Sequence, residues 1–302
     1  MLTRLFFAEF STRLANTPTP SKEQFDLYFQ VSGFLYEAYL GKLNRLNGVL
    51  LERSLLTKHY LHDKDSFLCT IFLLNLTRRP APKDFCDVIE KHVCHLLLTK
   101  QLNADELALL AIGFFKTRTR LRTQTVELLM DFIVKNVAHI HNSIAAACIL
   151  KGIRYSSLFP DQNKVKILLN EFIPHLSRFD IKVNFHLLLI SKQYKCHHRG
   201  LLRFTIDNLI KFPCKDIRIK DVDRLLRTLT FFNEPKNEPL LRFVVKCLDS
   251  NDQKLEYPVS FASILADLAV YDHLPEHLLE YFYDSKVMDL IERRHFLSLF
   301  TF

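Results

Sequence analysis

NADELALLAIGFFK (103–116) and NSIAAACILKGIRY (142–155) decide how this chain folds. Each is an apolar, helix-like segment that ends on a large aromatic residue. Working outward, the same ending recurs at Leu76, Phe115, Tyr155, Tyr194, Phe232 and Tyr271, in steps of 39, 40, 39, 38 and 39 residues by subtraction. Self-similarity at a period of roughly 20–50 residues is the signature of a stacked repeat protein. In this range a unit is a pair of helices that cannot bury its apolar faces alone and stacks on its neighbours.

Composition agrees with that reading. The 302 residues are 48% hydrophobic, with 6 Gly, 11 Pro, no Trp and 26 Phe. So few glycines leave little material for hairpin turns, which need positive φ, and none for a Gly-rich phosphate loop. The expected class is all-α: a right-handed α-solenoid of about six stacked helix pairs with a ~39-residue period.

Four segments are expected. Residues 1–20, rich in Leu and Phe with Arg4 and Arg13, read as a mitochondrial targeting segment, a short ordered N-terminal helix being the alternative. Residues 21–62 fit the period poorly and read as atypical capping helices. Repeats occupy 63–254. Their helices are Asp65–Leu76 with Pro82–Lys100, Asn103–Lys116 with Arg120–Ala138, Asn142–Tyr155 with Asp161–Leu176, Asp180–Lys192 with Leu201–Phe212, and Arg218–Phe232 with Pro239–Leu248. Residues 255–302 supply Pro258–Tyr271, Pro275–Tyr283 and a last helix near Val287–Phe300. Asn103 suits an N-cap, with Asp105 and Glu106 favourable in the first turn. Pro174 should end or kink its helix. The pattern is continuous and reads as one extended domain.

Enzyme motifs are missing: no Walker-type loop, dinucleotide fingerprint, metalloprotease HExxH, nucleophile elbow or kinase catalytic loop occurs. The expectation is a non-enzyme without cofactor. The seven cysteines are odd in number and scattered, which fits a reducing compartment. Cys69, Cys94, Cys148 and Cys247 lie in apolar runs and read as small core hydrophobes. Cys196, His197 and His198 are adjacent, with Cys214 beyond, and His92, Cys94 and His95 form a second group. Zinc needs better-spaced couples, so these read as core cysteines and surface histidines, and no metal is expected. No window approaches a membrane span.

The charge of +8 favours a polyanionic partner. Basic residues gather beside the aromatic markers: Lys116, Arg118 and Arg120 after Phe115, Lys151 and Arg154 before Tyr155, Lys192 and Lys195 around Tyr194, and Arg224 and Arg227 before Phe232. These nine are the candidate phosphate contacts. Equivalent positions of successive repeats line up as a stripe able to follow a phosphate backbone, although these charges fall at differing offsets from the markers. Phe115, Tyr155, Tyr194 and Phe232 read as packing aromatics rather than base-stacking platforms. No repeated two-residue base code is visible, so recognition would rest on shape and backbone charge, or on a partner.

The stretches LNADELALLAIGFFKT (102–117), KDVDRLL (220–226) with TFFN (230–233), YPVSFASILADLA (257–269), LPEHLL (274–279) and IERRHF (291–296) resemble the helical repeats and FAST region of the FAST kinase domain-containing (FASTK) family. The resemblance runs over Leu102–Phe302, about two-thirds of the chain. It implies a protein of the mitochondrial matrix that binds RNA, either organelle transcripts or rRNA, within a ribonucleoprotein assembly. Its role would be non-catalytic, in RNA processing, stability or translation. The family's second FAST segment and RAP domain are not both complete here, which fits a fragment or a shortened relative. The competing class is a helical-repeat protein-interaction scaffold without nucleic-acid binding.

Overall fold

The computed structural model describes residues 63–77, 83–116, 121–155, 161–250, 253–283 and 286–292, with isolated positions before 63. The expected targeting segment, nearly all of the N-terminal capping helices, and Arg118 and Arg120 lie outside the described residues. Among the described residues the fold is all-helical, without strands. Where the sequence reads as one continuous domain, the contacts divide the chain into two compact units, Met1–Pro160 and Asp161–Phe302.

The first unit contains α1 (Lys64–Thr77), α2 (Lys83–Leu98), α3 (Ala104–Lys116), α4 (Thr123–Asn136) and α5 (Ser143–Arg154). Helix α3 starts where Asn103 and Glu106 cap each other: Glu106 N–H donates to the Asn103 side chain at 2.9 Å, and Asn103 N–H donates to the Glu106 carboxylate at 2.9 Å. This reciprocal box satisfies two of the backbone donors that a helix start leaves open. Lys64 of α1 reaches the same Glu106 carboxylate at 2.7 Å and ties the two helix starts together.

Helix α3 packs against both α1 and α5, and α2 packs against α4. Leu107, Leu110, Ala111 and Phe114 of α3 are buried, as are Ala145, Ala146, Ile149, Leu150 and Ile153 of α5. Each fully buried Leu or Ile contributes about 1.5–3 kcal/mol relative to exposure, so this apolar sandwich holds the row together. Two glycines permit the close approach. A Cβ on Gly113 would meet Ile71 Cγ2 at 2.7 Å, and one on Gly152 would meet Ala111 Cβ at 2.9 Å. In the other row, buried Glu90 of α2 accepts from Arg122 N–H and from the Thr125 hydroxyl, each at 2.6 Å, which pins the start of α4. Leu128 and Phe132 of α4 are half-exposed on the wall of a groove.

The second unit contains α6 (Gln162–Phe172), α7 (Ile181–Gln193), α8 (Arg199–Leu209), α9 (Ile219–Phe231), α10 (Glu238–Asp249), α11 (Gln253–Glu256), α12 (Pro258–Val270) and α13 (Glu276–Phe282). Residues 286–292 are also helical. Helix α9 packs against both α7 and α12, while α8 packs on α7 and α13 on α12. Pro174 behaves as its missing N–H demands: α6 ends at Phe172 and a 3-10 turn, Ile173–Arg178, replaces the last α-helical turn. The turn Cys214–Asp216 and the short α11 carry no clear periodic signal and escape a sequence reading.

Three aromatic markers share one structural role. Tyr194, Phe232 and Tyr271 are the C-cap residues of α7, α9 and α12. Each is followed by a left-handed residue, namely Lys195 (φ 53°), Asn233 (φ 52°) and Asp272 (φ 48°). The next N–H then closes a long hydrogen bond to the carbonyl five residues back: Cys196 to Ser191 at 2.8 Å, Glu234 to Leu229 at 3.0 Å, and His273 to Leu268 at 3.0 Å. This is the Schellman closure, which satisfies carbonyls left open at a helix end. Tyr155 likewise caps α5, whereas Phe115 lies inside the last turn of α3. The side chain of Leu76 is outside the described residues.

Candidate nucleic-acid interface

In the first unit, the adjacent C-terminal ends of α3 and α5 bring Lys116, Lys151 and Arg154 around one aromatic pair. The Phe115 and Tyr155 rings meet edge to face, with centroids 4.3 Å apart and planes at 74°. Lys151 Nζ sits 3.5 Å from the Phe115 centroid, and Arg154 Cζ sits 5.4 Å from that of Tyr155. A cation over an aromatic face gains about 0.5–1 kcal/mol at exposed sites. Lys116 and Lys151 both act on Cys148, opposing the burial that pushes its thiol upward. Tyr155 is 45% exposed. An exposed ring flanked by cations offers a face for a base and charge for the adjoining phosphate.

In the second unit, Lys192 of α7 and Arg227 of α9 come together in a different environment. Lys192 is half-buried, its ammonium 5.6 Å from the Phe231 ring. Burial first, then the nearby Arg227, pulls its pKa below the ordinary lysine value. Arg227 Nε donates to Asp223 at 3.0 Å and to Ser263 at 2.6 Å, and Ser263 donates in turn to Asp223 at 2.6 Å. Asp267 of α12 is buried beside them, and burial raises its carboxyl pKa. The group is a polar network that ties α7, α9 and α12 together.

Arg224 is likewise engaged. It pairs at 2.8 Å with buried Asp221, which also holds Arg218 at 2.7 Å. Lys195 is exposed, lifted by its left-handed backbone out of the helix. Tyr194 is buried and packs as expected, while Tyr155 packs edge to face on Phe115 and is 45% exposed. Sequence reasoning singled out Phe232, whereas the neighbouring Phe231 is the exposed ring, at 46%. Phe231 ends α9 and Phe232 is its C-cap, and the two rings diverge, with centroids 5.0 Å apart and planes at 78°.

The adjacent Cys196, His197 and His198 diverge. Cys196 is buried in the loop after α7, and burial raises its thiol pKa. His197 bonds Glu234 and stacks 4.9 Å from Phe232, while His198 caps α8 and bonds Asn170 at 2.9 Å. Of the cysteines expected in the core, Cys247 is buried, while Cys69, Cys94 and Cys148 are only partly so. No group of His, Cys, Asp and Glu fit to hold a metal occurs among the described residues. No described helix is long and apolar enough to cross a membrane. Comparison with protein-family models and with curated proteins finds no match for the chain.

Proposed function

We propose that the chain binds single-stranded RNA without catalysing its chemistry, as a member of the FASTK family in the mitochondrial matrix. In this reading the helix pairs continue as an α-solenoid. The packing of α3 between α1 and α5, and of α9 between α7 and α12, supports it. The observation that carries the RNA reading is the exposed Tyr155 ring with Arg154 on its face, Lys151 on the adjoining Phe115 ring and Lys116 beside them. Of the nine cations read from the sequence, Lys116, Lys151, Arg154 and Lys195 are assigned to phosphate. Lys192, Arg224 and Arg227 are assigned to the fold, through the polar network and ion pairs they form.

The test is fluorescence anisotropy of a labelled unstructured RNA with the full chain at low salt. Tyr155→Ala combined with Lys151→Ala and Arg154→Ala should weaken binding at least tenfold, since one stacked base contributes about 1–3 kcal/mol. Absence of wild-type binding at low salt would sink the reading.

A second reading, a protein-interaction scaffold, draws on a groove of about 580 Å³ in the first unit, where Leu98 is 63% exposed beside Leu128 and Phe132. It predicts capture of a protein partner that Leu98→Asp abolishes, with no affinity for RNA.

A further inference from the structure

Helices α6, α8 and α10 of the second unit carry a cation at the same place. Lys166, Arg203 and Arg242 are each the fifth residue of their helix. All three are exposed. Each lies beside the closing residue of a Schellman loop. Gln162, one turn before Lys166, donates to the Tyr194 carbonyl at 3.4 Å, and its own carbonyl accepts from the Cys196 thiol at 3.8 Å. Arg203 and Glu234 share the wall of a groove of about 340 Å³, and Arg242 and His273 share one of about 400 Å³.

These positions differ from the cations beside the aromatic markers in how they are used. Among the described residues, Lys166 and Arg203 form no ion pair and no side-chain hydrogen bond. Arg242 has only a 4.0 Å approach to Glu238, and its side chain is 75% exposed. Of the acidic groups close by, Glu234 is hydrogen-bonded to His197, Glu238 is paired with Lys236 at 2.9 Å, and Asp207 shares the groove of Arg203. Arg199, one turn before Arg203 on the same groove, is also exposed and without an ion pair.

A surface cation with no close counterion is available to a ligand's phosphate, and here one recurs at the same helix position on three helices. Guanidinium groups present a planar fork that matches phosphate, and neutralising phosphates releases condensed counterions. We propose that Lys166, Arg203 and Arg242 form a backbone-reading track for single-stranded RNA, separate from the aromatic cluster of the first unit. The proposal rests on the RNA reading above and names a second contact surface for the same ligand.

The test compares the wild-type chain with Lys166→Ala/Arg203→Ala/Arg242→Ala across a salt titration with labelled oligouridylate. Three lost phosphate contacts at about 0.7 each should make the slope of log affinity against log salt shallower by about 2. The charge-retaining Lys166→Arg/Arg203→Lys/Arg242→Lys chain should keep the wild-type slope. All three side chains are exposed, so an unchanged urea midpoint is expected and separates a lost contact from a lost fold. If the wild-type chain binds RNA and the triple-alanine chain keeps its slope, the track is overturned and the Tyr155 reading stands. No wild-type binding at low salt overturns both. Loss of affinity for polyglutamate with the RNA slope intact would make the row an acidic-peptide surface, also against the proposal.

Discussion

Replacing Gly152 by Ala sets two effects of known sign against each other. Alanine is a better helix former than glycine by about 1 kcal/mol, which favours the variant. The new methyl, however, would stand 2.9 Å from Ala111 Cβ, 3.3 Å from Ala111 Cα and 3.4 Å from the Ala111 carbonyl oxygen. None of these atoms can rotate away, since two belong to the backbone of α3 and the third is fixed to it. Relief requires α3 and α5 to separate by tenths of an ångström along a face where Ala111, Ile149 and Ile153 are all buried. Overpacking of this kind costs about 1–3 kcal/mol, and without a rotamer escape the upper half of that range applies. The net expectation is a loss of about 1–2 kcal/mol.

Gly113→Ala is the companion variant. Its methyl would meet Ile71 Cγ2 at 2.7 Å, a branch on Cβ of a buried side chain that the helix holds in one χ1 rotamer, while the next neighbour, Asn75 Oδ1, is at 3.6 Å. A loss of similar size, about 1–2 kcal/mol, is expected. Urea unfolding of the full chain followed by far-UV circular dichroism reads both variants, with comparison of midpoints at constant slope. A Gly152→Ala or Gly113→Ala chain as stable as wild type would refute the packing argument.

Two further outcomes follow from the caps. Asp272→Gly and Lys195→Gly should each raise stability by up to about 1 kcal/mol, because both residues hold the left-handed backbone that glycine adopts without strain; differential scanning calorimetry reads this as a higher Tm. Asp63 accepts from Ser66 N–H at 2.8 Å at the start of α1 and pairs with Lys22 at 2.7 Å. Lys22 first, and the Ser66 N–H next, hold its carboxyl well below the usual carboxylate range. A depressed folded-state pKa gives stability present above the unfolded value near 4 and lost as pH falls towards the folded one. Asp63→Ala should therefore cost about 1 kcal/mol at neutral pH, with the gap to wild type closing in unfolding measured below about pH 4.

Helix positions were legible because the signals that set them are local. Asn103 with Glu106 announces a start, Pro174 a stop, and both act within one turn. The Cys214–Asp216 turn and α11 were hidden because their stability comes from neighbours and not from a periodic face. The candidate interface was only partly legible. Lys151 and Arg154 could be found from their place beside Tyr155. Sequence could not show that Asp221 and Asp223 occupy Arg224 and Arg227, since carboxylates three or four residues away are as common on a helix that leaves its arginines free. Lys166, Arg203 and Arg242 lie 9–11 residues past the preceding aromatic marker in sequence, and their shared position emerges only once the helix starts are fixed.

The closures after α7, α9 and α12 divide the second unit mechanically. Each fixes the turn into the following helix with a left-handed residue and a long-range backbone hydrogen bond, leaving no slack for an added residue. The passages that lead into the next pair differ from one another: a 3-10 turn before α7, the Cys214–Asp216 turn before α9, and α11 before α12. An inserted residue or reporter is therefore expected to be tolerated in these passages sooner than in the closures, where the left-handed residue and its hydrogen bond fix the chain length.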